Sequence, residues 1–570
     1  MASINVKTPH SGNVTYEGGK AVCRTPKQEL FLLSASFLNE PKFYETAGEQ
    51  ASRIDELAEK VAADGEWVLN LVKWLRGDGG LRTSAQVVAA ACVHARLKLG
   101  IDSGDGLNRK IISASIRRAD EGPAVLAFYI DRYGRNVPKP VKRGVADALN
   151  RMNESQYLKY RGKGNRGSVS IADAVSIAHP VPKDDEHAAL FAYALNERHD
   201  GEKDDSKLPL IAARNAFEAL PADVKKQILL GMDAGDIESL KLTHEYVFSA
   251  LGDSTDEEKL LMWEKLLPTM GYQACLMNTR RILELCGEGT VPVRLSPRFC
   301  HWFGYLVHRD DSTADADDVP HVKTSLETRV ENLLLDRISN PGEAGYKVMP
   351  LSFLAAYRNV QKPAQNVLAA SVSQTVENIP ELGGRTLVLV DGSGSMDYSN
   401  SGHSSITPFD TACMFAAAIA YKSHAASVYR FNTSAERVDL TRFIEGRMSI
   451  LDALDRFGMA QGGTNVITST ANAYKECIAN GEEIDRVIVI TDEQTSFGDS
   501  SWEGSLDDAV PTDVPLYVWN VGGYRPAIDM GKRNRMNLGG LTDSAFSLLA
   551  YAEKCGEGDA AEWPWETASE

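Results

Sequence analysis

The run RTLVLVDGSGS, residues 385–395, decides how the C-terminal part of the chain folds. Its first half is a short, apolar, β-branched stretch, the pattern of a strand buried on both faces. The strand runs directly into Asp391, Ser393 and Ser395, which are separated by Gly392 and Gly394. A carboxylate and two hydroxyls at alternate positions of a glycine-loosened loop can turn toward one point, as hard-oxygen ligands of Mg²⁺ or a similar cation. Taken alone, the same five residues fit equally an ordinary strand-to-helix turn with Asx and Ser caps.

Two later segments fall where such a site needs them. Gly462-Gly463-Thr464-Asn465 precedes a helical pattern and offers another hydroxyl, and Asp492 follows the apolar stretch RVIVIT. From about residue 383 strands at 385–391, 427–431, 485–491 and 515–520 alternate with helices at 408–425, 449–457, 467–480 and 544–553. That order predicts a parallel sheet covered on both faces, with loops at the carboxyl ends of the strands converging in one crevice. Asp391, Ser393, Ser395, Thr464 and Asp492 together resemble the metal-ion-dependent adhesion site of von Willebrand factor A domains. The resemblance implies a doubly wound α/β domain over 383–555, a divalent cation such as Mg²⁺, and an open coordination position completed by a partner's acidic group. By charge and donor type a phosphate would serve there as well as a carboxylate.

Upstream the grammar is different. Residues 25–375 read as consecutive amphipathic helices broken by short Gly, Pro or Asp-rich stretches, with strand signals nearly absent. The first opens with Thr25-Pro26-Lys27-Gln28, a cap, a first-turn proline and a capping-box partner, and Leu30, Leu33 and Phe37 line one face. Similar patterns recur at 50–63, 66–76, 83–99, 106–118, 122–133, 185–197, 208–219, 237–250, 256–286 and 345–374. Such a series predicts an α-solenoid of HEAT-like repeats, each burying its apolar stripe on its neighbours. Residues 1–24 and the acidic segment 556–570 flank the two regions.

The net charge of −17 argues at first against a nucleic-acid partner. The average conceals a split, because residues 1–166 hold 26 Lys and Arg against 18 Asp and Glu, leaving 35 against 60 for the remainder. A basic third on an acidic protein points to a localised anionic contact. Lys110 and Arg117, seven apart, are expected on one helical face opposite Leu107, Ile111 and Ile112, with Arg118 beside them and Arg96, Lys98 and Arg109 nearby. A solvated outer face is the plainer reading of that pair. In YLKYRGKGNRGSVSIADAVSIAHP, residues 157–180, Lys159, Arg161, Lys163 and Arg166 lie in a Gly-broken loop before a helix that Ser170 can cap, with His179 at its far end. A basic loop beside a helix N-terminus suits phosphate.

This last stretch is similar to part of the TROVE module of the Ro autoantigen family, which joins helical repeats to a C-terminal von Willebrand A domain in the order seen here. The resemblance implies RNA contacts at Lys159, Arg166 and His179, with a spacing difference before Arg166. It also implies repeats closed into a ring on the A domain, a small Y-like RNA on the basic outer surface, and single-stranded ends of misfolded RNA in the central hole. A role in RNA quality control follows, with an exoribonuclease as a further partner and no DNA.

The eight cysteines are scattered, without CxxC pairs, and no apolar run approaches the roughly 18 residues of a membrane span, so a cytoplasmic protein with reduced thiols is expected. No P-loop, H-E-x-x-H, nucleophile elbow or paired catalytic Cys and His is present, which argues against an enzyme. The remaining alternative is a metal-dependent protein-binding adaptor.

Overall fold

The computed structural model describes residues 25–36, 47–101, 104–161, 169–287, 323–340, 350–362, 364–376, 379, 381–397, 406–493, 506–511, 513–522 and 535–539, with Phe546, Leu549, Trp563 and Trp565. Every described element before Leu382 is helical. The first nine are α1 (Pro26–Ser36), α2 (Ala47–Val61), α3 (Gly65–Arg76), α4 (Arg82–Lys98), α5 (Leu107–Ala114), α6 (Glu121–Tyr133), α7 (Lys139–Leu149), α8 (Glu154–Tyr160) and α9 (Ile171–Ala178). The expected capping box opens α1, where the Thr25 hydroxyl accepts from the Gln28 amide at 3.3 Å and the Gln28 side chain accepts from the Thr25 amide at 3.2 Å.

Three long helical patterns are cut where the backbone is interrupted. The stretch 237–250 divides into Ala234–Ser239 and His244–Leu251, with Lys241 between them at φ +48°. The stretch 256–286 divides at Pro268 and Gly271 into Asp256–Leu266 and Tyr272–Leu285, and 345–374 becomes Pro350–Tyr357 and Ala364–Val376. Helices α7, Ala222–Gly231 and Ser325–Ser339 were not legible as separate patterns.

The C-terminal sheet has six strands, β1 (Leu382–Asp391), β2 (Ser423–Phe431), β3 (Ala435–Arg437), β4 (Arg486–Thr491), β5 (Leu516–Asn520) and β6 (Arg535–Gly539), ordered β3-β2-β1-β4-β5-β6. All pairings are parallel except β2 with β3. The short β3 and the edge strand β6 lie beyond the predicted set, and the predicted helix 544–553 falls largely outside the described residues. Alternate residues of the central strands serve opposite faces. Leu387, Leu389, Val487 and Val489 pack with Ala471 and Cys477 of the helix Val466–Ala479. Val388, Val390, Ile488 and Ile490 face the helix Pro408–Lys422, whose buried Ala-rich face joins a core continuous with that of the helical array.

The array meets the sheet region at both of its ends. At its start, α1 packs on β6, and Trp563 and Trp565, stacked 5.6 Å apart, pack against Phe31 of α1 and Trp67 of α3. At its end, Arg358 forms a two-pronged ion pair with Asp410 of the helix Pro408–Lys422, at 2.9 and 2.5 Å. The chain thus closes through its C-terminal region. Among the described residues, no helix is long and apolar enough to cross a membrane.

Candidate metal centre and nucleic-acid interface

The five predicted metal donors all lie at the carboxyl edge of the sheet. Asp391 ends β1, and the parallel register Val390↔Ile490 sets it beside Thr491, with Asp492 next in the chain. The Gly394 amide donates to the Gly462 carbonyl at 3.0 Å and the Gln461 amide to the Gly392 carbonyl at 2.7 Å, tying the DGSGS turn to the loop that carries Thr464. Gly392 has a packing reason, since a Cβ there would lie 3.1 Å from the Arg430 side chain. Arg430 in turn donates to the carbonyls of Phe457 and Met459, at 3.4 and 3.1 Å, at the root of the same loop.

Asp391, Ser393, Ser395, Thr464 and Asp492 are all buried. The Ser393 and Ser395 hydroxyls are 3.0 Å apart, each able to donate to the other. Two neighbouring ligands of an octahedral Mg²⁺ at about 2.1 Å would stand about 3 Å apart, so the pair fits that geometry. Burial pushes the Asp391 carboxyl up, against hydrogen bonds from the Thr491 hydroxyl at 2.6 Å and the Ser393 amide at 2.9 Å that hold it down. A divalent cation beside it would favour the charged form. Among the described residues no cluster of three His, Cys, Asp or Glu could hold a metal, so this donor set leans on hydroxyls. That suits a hard cation and not zinc.

Sequence reasoning missed the layer beneath. The Thr491 hydroxyl also accepts from the Glu493 amide at 3.0 Å, and Glu493, fully buried at φ +60°, accepts from the Asn520 side chain at 2.8 Å. The signal was a second acidic residue directly after Asp492.

The basic residues fall on the opposite kind of surface. Lys110 is exposed on α5, and Leu107, Ile111 and Ile112 are buried, as predicted. The shared helical face with Arg117 is not observed, because α5 ends at Ala114. The Ser115 hydroxyl turns back to the Ile112 carbonyl, and the Arg117 and Arg118 amides donate at 2.7 and 3.2 Å to Glu121. Glu121, at 1% exposure, also takes a two-pronged ion pair from Arg76, so one buried carboxylate organises the turn that carries both arginines. Arg151 grips the same turn, donating to the Ser113 and Ile116 carbonyls at 3.1 and 2.8 Å.

Arg118 pairs with Asp120 and places its guanidinium 4.8 Å from the centre of the Tyr160 ring, while the Lys159 ammonium lies 5.5 Å from the same ring. Tyr160 therefore gathers two of the predicted contacts. Ser170 caps α9 as expected, in a capping box that Asp173 completes, and His179 is the exposed cap at the other end. The chain after it is tied to the end of α7, since the Asn150 side chain donates to the Val181 carbonyl at 2.8 Å. Arg166 and Lys163 lie outside the described residues.

Other nearby cations have structural duties. Arg96 is buried and donates to Asn108 at 2.6 Å and to the Ala62 carbonyl, which removes it from any surface footprint. Lys98 pairs with Glu59, Arg109 with Asp147, and Arg161 with both Glu197 and Glu218.

No family model matches this chain, and no curated protein matches it. Among solved structures it is similar to the crystal structure of the Deinococcus radiodurans RO (RSR) protein, with a TM-score of 0.58 and 17% identity over 94% of this chain and 100% of that one. The likeness runs through the helical array and the sheet together, so the chain has the fold of a Ro protein: helical repeats followed by a von Willebrand A-type α/β region.

Proposed function

We propose that a chain with this fold is an RNA-binding scaffold of the Ro type. The observation that carries the reading is the convergence of Arg118 and Lys159 on the Tyr160 ring, with Arg117 on the same turn and the exposed Lys110 on the adjoining helix, in a protein that is acidic overall. The arginines and lysines engage phosphates, and His179 supplies a further polar contact beside the end of α7. A small structured Y-like RNA occupies this outer surface, and single-stranded ends of misfolded RNA are held within the closed array. An exoribonuclease receiving such RNAs completes a role in quality control, and the protein itself performs no bond-breaking step.

Asp391, Ser393, Ser395, Thr464 and Asp492 hold Mg²⁺ or another divalent cation, which supplies an open position for a phosphate or a carboxylate. The second reading, a metal-dependent adaptor for acidic proteins, draws on that donor set alone.

Crosslinked purification from the native source across a salt series tests the proposal. A discrete small RNA whose recovery falls steeply with salt is expected. Protein free of RNA, with an acidic partner released by chelation, would overturn it in favour of the adaptor.

A further inference from the structure

Helix α7 carries Lys139, Arg143 and Asp147 at four-residue intervals, with Arg151 just past its end. Each interval is about 6 Å of helix axis and keeps the side chains on one slowly turning face. Two contacts fix where that face points. Asp147 takes both prongs of Arg109 from α5, at 2.6 and 2.5 Å, and Arg151 grips the turn 113–116 that leads to Arg117. The row therefore lies along the seam between α5 and α7 and runs into the arginine turn.

The seam is tight. A Cβ at Gly144 would lie 2.6 Å from the Ile112 Cβ and 2.8 Å from the Arg109 carbonyl, so the two helix backbones approach as closely as a glycine permits. Lys139 and Arg143 are exposed, and neither makes an ion pair or side-chain hydrogen bond to a described residue. That separates them from Arg82, Arg109, Arg118 and Arg132, each of which has a carboxylate partner. Two cations left without carboxylates at the head of a row that ends in Arg117, Arg118 and Lys159 extend the electrostatic surface in one direction.

We infer that Lys139 and Arg143 bind the phosphate backbone of an RNA strand laid along the α5–α7 seam, continuing the track from the Tyr160 junction. This inference rests on the RNA-binding reading and adds the path of the strand and two contacts to it. Asp147 and Asp120, already occupied by Arg109 and Arg118, interrupt the track without reversing its sign. The contacts are sequence-independent, because ammonium and guanidinium groups on a helix flank reach phosphates and no base edge is needed.

The test uses the full chain and a fluorescein-labelled hairpin RNA with a single-stranded tail, titrated across a salt series. The double variant Lys139→Glu/Arg143→Glu is expected to bind more weakly at low salt, with a log–log salt slope flatter by about 1.4–1.8, the value for two lost phosphate contacts. Its thermal unfolding should match wild type, since both side chains are exposed. The charge-matched variant Lys203→Glu/Lys241→Glu, on other elements, should keep the wild-type slope. An unchanged slope in the first variant, or an equal loss in both, would overturn the inference while leaving RNA binding intact. A wild-type chain that does not bind the hairpin removes the functional reading itself, and the inference with it.

Discussion

The proposed metal end of the sheet and the basic seam of the helical array hold their candidate functional groups in opposite ways. At the sheet, five donors are buried and their relative positions follow from strand register and a few backbone hydrogen bonds. On the array, the cations are largely exposed, and what is buried is the apparatus that presents them, Glu121 above all, held by the half-buried Arg76. A buried constellation is fixed by the fold, whereas an exposed one is fixed only where an interior group reaches out to hold its backbone. Mutations should therefore couple stability and binding differently in the two places.

The largest expected effect tests that contrast at Glu121. Glu121→Ala strands Arg76, which is 13% exposed, and two amides of the arginine turn. A loss of about 3–5 kcal/mol is expected, as for breaking a buried pair from one side. Chemical denaturation measures it, and RNA titration of the still-folded protein should show a weaker, less salt-sensitive complex. A loss under about 1 kcal/mol would mean that the turn does not depend on Glu121.

The next effect lies at Asp391. With Mg²⁺ at about a hundred times its dissociation constant, the wild-type protein should gain about 2.7 kcal/mol. Asp391→Asn should abolish that gain while leaving metal-free stability within about 1 kcal/mol of wild type, because the amide keeps hydrogen-bonding capacity toward Thr491 and Ser393 without burying a charge. Thermal shifts with Mg²⁺ and with chelator read both numbers. An undiminished metal response in the variant would place the ion elsewhere.

These two cases also explain what the sequence could convey. That Asp391, Ser393, Ser395, Thr464 and Asp492 gather at one edge of the sheet was readable because strand ends and loop order are local, and a parallel sheet brings such ends together. The helical face shared by Lys110 and Arg117 was misjudged because periodicity cannot register that α5 stops at Ala114 and that Glu121 holds the following turn by two amides. Arg96 looked like surface charge, and only the packing of α3 and α5 around it shows that it is interior: a Cβ at Gly65 would meet its guanidinium at 2.5 Å. Tyr160 and Glu493 act through partners distant in sequence, Arg118 and Asn520, which no local pattern names.

The smallest effects sharpen the comparison most. Beside each candidate site a non-glycine residue sits in the left-handed region, His179 at φ +46° on the surface and Glu493 at φ +60° in the interior. Glycine should relieve about 1–2 kcal/mol of strain at either, less about 0.5–1 kcal/mol for its own conformational freedom. His179 is exposed, and its backbone amide keeps its bond to the Val175 carbonyl at 3.0 Å whatever the side chain, so His179→Gly should stabilise by up to about 1.5 kcal/mol. Glu493→Gly deletes the buried side chain that accepts from Asn520 at 2.8 Å, leaving that donor unsatisfied at a cost of about 1–3 kcal/mol, and should destabilise by about 1 kcal/mol. Paired urea denaturation curves give the two signs directly. Opposite signs would mean that strain at the metal end is held in place by interior bonding, while strain at the basic surface is kept for what His179 contacts; RNA affinity should then fall in His179→Gly although the protein is more stable. Stabilisation in both variants would instead leave Glu493 without a part in setting the Thr491–Asp391 geometry.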